Sequence, residues 1–128
     1  MRLLLDSHAF LWFVWDDPRL SPTAKRLIED VNNDLYISVA GIWEIAIKVS
    51  SGKLNVGQEL GSFLSEQMQH NRIDLLPISL PHVVRVSILP VHHKDPFDRL
   101  LIAQSLVEQI AVIGIDGVFD EYGVQRLW

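Results

Sequence analysis

The sequence predicts an α/β fold in which a mainly parallel sheet of four to five strands is covered by helices on both faces. Residues 3–5 and 111–115 form short, uniformly apolar runs, which are typical of central strands buried on both sides. Runs of this kind alternate with helical patterns along the chain, as they do in repeated βαβ units. The right-handed crossover rule then leaves few possible arrangements.

The predicted elements follow one another without a linker, an internal repeat or a low-complexity segment. Predicted strands cover residues 3–6, 35–38, 73–76, 111–115 and 124–127. Predicted helices cover residues 9–15, 22–31, 39–50, 57–70, 80–89 and 96–109. The clearest helix starts are Ser21-Pro22 and Asp95-Pro96, where an N-cap residue precedes proline at the first helical position.

Length and composition favour one globular domain over residues 1–128, with 48% apolar residues for its core. Since the chain has no cysteine, disulfides and thiolate metal sites are excluded. No apolar run approaches the roughly 18 residues of a membrane span, and the start has no signal-peptide pattern. We therefore expect a cytoplasmic protein that does not enter a membrane.

The formal net charge of −5, from 11 basic and 16 acidic residues, argues against nucleic-acid binding through a broad positive surface. It is compatible with an acidic pocket in which divalent cations neutralise part of the charge.

Four acidic residues from distant parts of the chain are expected to meet at one edge of the sheet. Asp6 and Asp116 each end an apolar strand, so they lie at the carboxyl edge, where ligands bind in open parallel sheets. Glu44 lies in the first turns of the helix after the second strand. Asp98 lies in the first turn of the helix that begins after Asp95. Sequence position thus predicts one acidic cluster.

Such a cluster favours metal-dependent hydrolysis. Carboxylates a few ångströms apart repel one another unless a cation neutralises them, and Mg²⁺ and Mn²⁺ prefer carboxylate and water oxygens. Two such ions about 4 Å apart can activate a water and stabilise the leaving oxygen of a phosphodiester. The chain offers neither a nucleophilic Ser–His pair nor a phosphate-binding glycine loop.

Each acidic residue also has a purely structural interpretation. Asp6 and Asp116 could cap the helix or turn that follows their strands, and Asp98 could simply interact with the helix dipole. Asp95 is interpreted as an N-cap alone. Glu44 could pair with Lys48 one turn later, although its place between two apolar residues of a mostly apolar helix disfavours a fully solvated position.

The histidines His8, His92 and His93 have no metal-binding partner at helical or strand spacing. Roles in loops or packing are therefore favoured over metal ligation for all three.

Four motifs carry a resemblance to a known family. They are residues 4–12 (LLDSHAFLW), 42–48 (IWEIAIK) and 95–104 (DPFDRLLIAQ), and Ile115-Asp116 followed by Tyr122-Gly123-Val124. In this order they resemble the PIN-domain ribonucleases, and among these the VapC-like toxins of type II toxin–antitoxin systems. The resemblance covers essentially the whole chain.

The resemblance implies a PIN-like three-layer α/β/α sandwich and an endoribonuclease that uses Mg²⁺ or Mn²⁺. Its acidic metal site falls on Asp6, Glu44, Asp98 and Asp116. It also implies an RNA substrate, a toxin homodimer, and a small cognate antitoxin whose C-terminal segment blocks the site. The family often has serine or threonine two residues before the last aspartate; here that residue is Gly114, so a polar contact is missing.

We interpret Asp6 as a principal metal ligand, with Asp98 and Asp116 supporting it and Glu44 holding a second ion or the attacking water. Three basic residues, Lys48, Lys94 and Arg99, are candidates for contacts to RNA phosphates or for ordinary surface salt bridges.

Three alternatives remain open. A haloacid-dehalogenase-like phosphatase also begins with an apolar strand ending in aspartate, but it needs a second aspartate where this chain has His8. A catalytically weak PIN-fold binding module would sequester an antitoxin or RNA without metal. A nuclease acting on DNA is also compatible, because the metal site itself does not read the 2′-hydroxyl.

Overall fold

The structure is a computed structural model that describes residues 1–128. Its strands are β1 (Arg2–Leu5), β2 (Asp34–Ser38), β3 (Ile73–Leu76), β4 (Ala111–Ile113) and β5 (Arg126–Leu127). Its α-helices are α1 (Ser7–Val14), α2 (Pro22–Glu29), α3 (Val39–Ser50), α4 (Leu60–His70), α5 (Leu80–Val86) and α6 (Pro96–Glu108), and a 3-10 helix spans Gly117–Tyr122. None of the helices combines the length and hydrophobicity that a membrane span requires.

The five strands form one sheet in the order β3-β2-β1-β4-β5, and every neighbouring pair is parallel. The predicted α/β fold with a parallel sheet is therefore confirmed. The chain builds outward from β1 to β2 and β3, and then crosses back to place β4 on the other side of β1. This reversal puts a topological switch point between β1 and β4, the position at which open α/β sheets bind ligands.

The three leucines of β1 explain how the sheet separates two cores. Leu3 and Leu5 pack on one face with residues of α1 to α4, and Leu4 packs on the other face with residues of α6 and the 3-10 helix. All three side chains are 0% exposed. Each contributes roughly 1.5–3 kcal/mol through burial, so β1 is the best-anchored strand of the sheet.

Several predicted boundaries are wrong, and two of them affect the edge of the sheet. Helix α1 begins at Ser7 instead of residue 9, which makes Asp6 its N-cap. Strand β4 ends at Ile113, so Asp116 follows three residues later and caps the 3-10 helix. The predicted strand 124–127 shortens to Arg126–Leu127, the two residues that pair with β4.

Three other helices are shorter than predicted by two residues or more. Helix α2 ends at Glu29 rather than residue 31. Helix α5 ends at Val86 rather than residue 89. Helix α4 begins at Leu60 rather than residue 57, since Gly57 has a φ of +82° and Glu59 supplies the N-cap.

A buried polar network fixes α3 against α6. Gln104 is fully buried; its side chain accepts a hydrogen bond from the Ser38 hydroxyl and donates one to the Pro77 carbonyl over 3.3 Å. The same hydroxyl of Ser38 accepts from the Ala40 amide and so caps α3. Because buried polar groups are costly unless they are paired, this network fixes where α3, the helix that carries Glu44, begins.

Candidate active site

One pocket at the carboxyl edge of the sheet contains all four acidic residues that the sequence singles out, namely Asp6, Glu44, Asp98 and Asp116. The other residues that line it are Ser7, His8, Lys48, Asp95 and Ile115. The structure therefore brings the predicted cluster together from β1, α3, α6 and the segment after β4.

Asp6 is nearly buried and is held from three directions. Its amide donates to the Ile113 carbonyl over 3.1 Å, which ties it to β4. Its Oδ1 accepts from the Ala9 amide at 2.7 Å, so it does cap a helix as the structural interpretation proposed. Its Oδ2 faces Gly114. Capping uses one oxygen and leaves the other at the pocket, so the two roles are compatible.

Gly114 provides space for this carboxylate. A Cβ atom at residue 114 would lie 2.7 Å from Oδ2 of Asp6, closer than Cβ atoms come to other atoms, and 3.3 Å from its Cγ. The φ of Gly114 is not in the left-handed region, so the backbone does not require glycine there. A side chain at residue 114 would therefore require the Asp6 carboxylate to shift from its present position.

The two most enclosed carboxyl groups of the pocket resist ionisation. Burial raises the pKa of Asp6 to about 7, and the charges of Asp98, Glu44 and Asp116 add to the effect while the hydrogen bond from Ala9 opposes it. Burial also raises the pKa of Asp98 to about 6, helped by the charge of Asp95 and opposed by His93. A divalent cation would reverse both shifts, because it stabilises the ionised forms.

Asp98 and Asp116 meet at one imidazole. Nε2 of His93 lies 2.9 Å from Oδ2 of Asp98 and 3.0 Å from Oδ2 of Asp116. Sequence reasoning favoured a loop or packing role for His93 because it found no partner at regular spacing. His93 does lie in a loop, but both partners come from elsewhere in the fold; the only signal in the sequence was its position two residues before the N-cap Asp95.

Glu44 occupies the opposite wall of the pocket. It is half-buried, as its apolar neighbours in the sequence suggested, and it accepts a hydrogen bond from the Ser7 hydroxyl. The alternative ion pair with Lys48 does not form, although the two residues line the same pocket. Lys48 therefore brings an uncommitted positive charge to an acidic site.

Asp95 acts as the predicted N-cap of α6, since its Oδ1 accepts from the amides of Phe97 and Asp98 at 2.8 and 3.1 Å. Arg99 does not form the surface salt bridge that was its alternative role. Its guanidinium donates to the carbonyls of Val86, Leu89, Pro90 and His93. It is thus engaged in holding the loop before α6.

The donor set of the pocket fits a hard divalent cation. Asp6, Glu44, Asp98 and Asp116 offer only carboxylate oxygens, which suit Mg²⁺ and Mn²⁺. Potential ligand atoms of Asp98 and Asp116, together with His93, lie within 4.8 Å of one another, whereas Asp6 and Glu44 line the same pocket outside this close group. The raised pKa of Asp6 adds to the fit, since that carboxyl is buried beside three acidic residues.

The pKa of Asp6 predicts how the metal-free protein responds to pH. A folded-state pKa of about 7, against about 3.9 when unfolded, means that the folded state binds the proton more tightly. This contribution to stability is fully present below about pH 4 and is lost as pH rises through about 7. Asp6→Asn keeps the cap without the charge, so with EDTA at neutral pH it should be more stable than wild type by up to about 4 kcal/mol.

Urea unfolding of both proteins between about pH 4 and pH 8 measures this difference, which should vanish toward the acid end. Asp74→Asn, an exposed aspartate on β3, is the matched control and should show little difference at any pH. A difference between wild type and Asp6→Asn that stays constant across the range would contradict the raised pKa.

Residues 3–125 match the model of a protein family described as PIN domain. Ribonuclease VapC16 of Mycobacterium tuberculosis is 33% identical to this chain over 69 residues, which is 51% of this chain and 48% of that protein. The aligned stretch therefore spans about half the length of this curated relative.

Solved structures share the fold over almost the entire chain. VapBC2 from Rickettsia felis, bound to a DNA fragment from its promoter, has a TM-score of 0.74 at 15% identity and covers 99% of this chain and 98% of its own. VapBC-1 from nontypeable Haemophilus influenzae has a TM-score of 0.67 at 15% identity, with 99% and 97% covered. At these identities the likeness establishes the fold, a parallel sheet between two helical layers. With the family match across residues 3–125, it shows that this chain belongs to the PIN domain family.

Proposed function

We propose that this protein is an endoribonuclease dependent on Mg²⁺ or Mn²⁺ and that it acts as the toxin of a toxin–antitoxin pair. The observation that carries the proposal is the convergence of Asp6, Glu44, Asp98 and Asp116 in one pocket at the carboxyl edge of the sheet. The raised pKa values of Asp6 and Asp98 support it, as does the 33% identity to a protein named as a ribonuclease.

Asp6, Asp98 and Asp116 would hold the principal ion, and Glu44 would hold a second ion or orient the attacking water. A divalent ion bound there lowers the pKa of a coordinated water and stabilises the leaving oxygen. Asp6 is suited to ligation because its cap uses Oδ1 and leaves Oδ2 at the pocket.

Two residues at the mouth of the pocket could receive the RNA. Lys48 lines the pocket without an acidic partner and can contact a phosphate. Desolvation and the nearby charge of Lys48 lower the pKa of His8, so this imidazole is neutral at physiological pH and can hydrogen-bond the substrate. Lys94, exposed in the loop before α6, remains a candidate for a second phosphate. Arg99 is withdrawn from this role by its carbonyl contacts.

The proposal predicts that RNA cleavage requires both the acidic residues and the metal. Asp6→Asn and Asp98→Asn should each lower kcat/KM on single-stranded RNA by roughly 100-fold or more, because each removes charge at the reacting centre. EDTA should abolish cleavage and added Mn²⁺ should restore it. Asp74→Asn, outside the pocket, should cleave like wild type.

Equal cleavage of RNA by wild type and Asp6→Asn would disprove the proposed metal-dependent ribonuclease site. Single-stranded DNA and p-nitrophenyl phosphate, assayed in parallel, test the DNA nuclease and the haloacid-dehalogenase-like phosphatase. Metal binding without cleavage of any substrate would favour the binding module.

An antitoxin partner is supported by the solved structures that share this fold, which are named as VapBC and FitAB proteins. Trp43 and Ile47 lie one turn apart on α3 and are exposed beside the pocket residues Glu44 and Lys48. A bound antitoxin segment that covers the pocket would bury both apolar side chains.

The product of the neighbouring gene, co-expressed with this chain, should co-purify with it and suppress RNA cleavage. Ile47→Asp should weaken that complex, because the interface would bury an unpaired charge. Val31→Asp, an equally drastic change at an exposed apolar residue outside the pocket, should leave it intact. If no product of an adjacent gene binds, the antitoxin proposal fails while the nuclease proposal stands.

A homodimer is supported by an apolar stripe on and after α5. Its members are each more than half exposed and none is charged: Leu80, Val83, Val84, Ile88 and Val91. In a two-fold dimer the same patch meets itself, so an uncharged stripe packs against its copy without burying an unpaired charge.

Light scattering of the purified chain should therefore give the mass of two copies. Val84→Asp should shift it to one copy, whereas Val31→Asp, also exposed, should not. A wild-type protein that is monomeric at micromolar concentration would disprove the dimer.

A further inference from the structure

The ring of His93 makes polar contacts through both of its nitrogens. Nδ1 accepts a hydrogen bond from the Asp95 amide at 3.1 Å. Nε2 lies 2.9 Å from Asp98 and 3.0 Å from Asp116, both through Oδ2. The side chain is only 18% exposed, so these contacts are largely shielded from water.

The backbone contact settles which nitrogen carries the proton of a neutral ring. An amide N–H can only donate, so Nδ1 must accept with its lone pair. The proton is then on Nε2, which donates to Oδ2 of Asp116. Oδ2 of Asp98 lies close to the same nitrogen but is not aligned with the N–H bond. A metal ligand would need a lone pair at Nε2, so in this arrangement His93 is a donor to Asp116 and not a ligand.

The loop that presents this ring is fixed by two other side chains. The Tyr122 hydroxyl accepts from the amides of His92 and His93 at 2.9 and 2.8 Å, and donates to the Pro90 carbonyl at 2.8 Å. The Arg99 guanidinium donates to the carbonyls of Pro90 and His93 at 2.9 and 3.2 Å. The ring is therefore held from its backbone as well as from Nδ1.

We propose that His93 is a positioning residue that uses its Nε2–H group to hold Asp116 beside Asp98 at the pocket. The proposal rests on the proposed metal-dependent function and adds a role for a residue outside the acidic set. Asp116 accepts from His93 through Oδ2 and from the Val118 amide through Oδ1 at 3.0 Å, so both of its oxygens are oriented. Oδ2 of Asp98 lies 2.9 Å from the same ring nitrogen. Hydrogen bonds of this kind orient ligand carboxylates, and their loss lowers metal affinity or activity by roughly 10–100-fold.

Two substitutions separate the contacts of the two ring nitrogens. In His93→Asn, the side-chain oxygen takes the place of Nδ1 and can accept from the Asp95 amide in an Asx turn, but no donor reaches the two carboxylates. In His93→Gln, the longer amide places an N–H near the position of Nε2. The Asn variant thus tests the donor with the loop contact kept, and the Gln variant tests its rescue.

The first measurement uses the metal-free protein. Nitrogen NMR of the ring should show a protonated Nε2 and an unprotonated Nδ1 in wild type, and the carboxyl carbons of Asp98 and Asp116 should shift in the Asn variant. A proton on Nδ1 of the neutral ring would overturn the proposal whatever the protein does with metal or RNA.

The second measurement is calorimetric titration with Mn²⁺, followed by kinetics on RNA. His93→Asn should bind Mn²⁺ roughly 10–100-fold more weakly and lose kcat with KM for RNA nearly unchanged, and His93→Gln should recover most of both. If both variants match wild type, or if Gln is as impaired as Asn, His93 does not position the carboxylates through its N–H. Thermal unfolding checks that both variants are folded.

These outcomes distinguish the two proposals. If wild type binds Mn²⁺ but cleaves no RNA, the ribonuclease proposal is wrong. The difference in Mn²⁺ affinity between the Asn and Gln variants then still tests the role of His93. A wild type that binds no Mn²⁺ removes the metal site, and the NMR of the ring and of the two carboxyl groups then decides whether the hydrogen bonds exist. If wild type, His93→Asn and His93→Gln all show the same metal-dependent cleavage, only the His93 proposal is wrong.

Discussion

The architecture of the pocket depends on placing a carboxylate at the end of a deeply buried central strand. Strand β1 lies between β2 and β4, and its three leucines are wholly excluded from water. Asp6 follows these leucines directly, so its backbone is held rigidly and its surroundings are of low polarity. Asp6 is therefore accurately positioned and reluctant to ionise. A buried carboxylate among other acidic groups is stable as an anion only when a positive charge lies beside it. The acidic residues around Asp6 are therefore consistent with a site that binds a cation.

The two walls of the pocket are held by different kinds of interaction. On the β1 side, sheet hydrogen bonds and the α1 cap fix Asp6 through the backbone. On the α6 side, side chains hold the loop: Arg99 and Tyr122 satisfy its carbonyls and amides, and His93 links it to the acidic residues. The loop has no regular secondary structure that could fix it otherwise. Arg99 stabilises irregular backbone, which explains why it is not a free positive charge at the pocket.

Sequence reasoning identified those parts of the fold and site that depend on local pattern. The buried strands follow from uniformly apolar runs, and the carboxyl-edge position of Asp6 follows from its place after one of them. The contacts of His93 could not be predicted in this way, because Asp116 lies 23 residues away in sequence and reaches it only through the crossover from α6 to β4. The contacts of Arg99 with the loop were missed for a related reason, since its acceptors are backbone carbonyls, which every residue carries. The steric role of Gly114 depends on a neighbouring strand and has no local signature.

The contact between Gly114 and Asp6 also couples a residue without a side chain to the geometry of the site. A Cβ atom at residue 114 would meet Oδ2 of Asp6 at 2.7 Å. A serine or threonine there, as the PIN-domain family often has, would therefore require the Asp6 carboxylate to shift away from the new side chain. Substitution of this one glycine is thus expected to move a proposed metal ligand although every acidic residue stays in place.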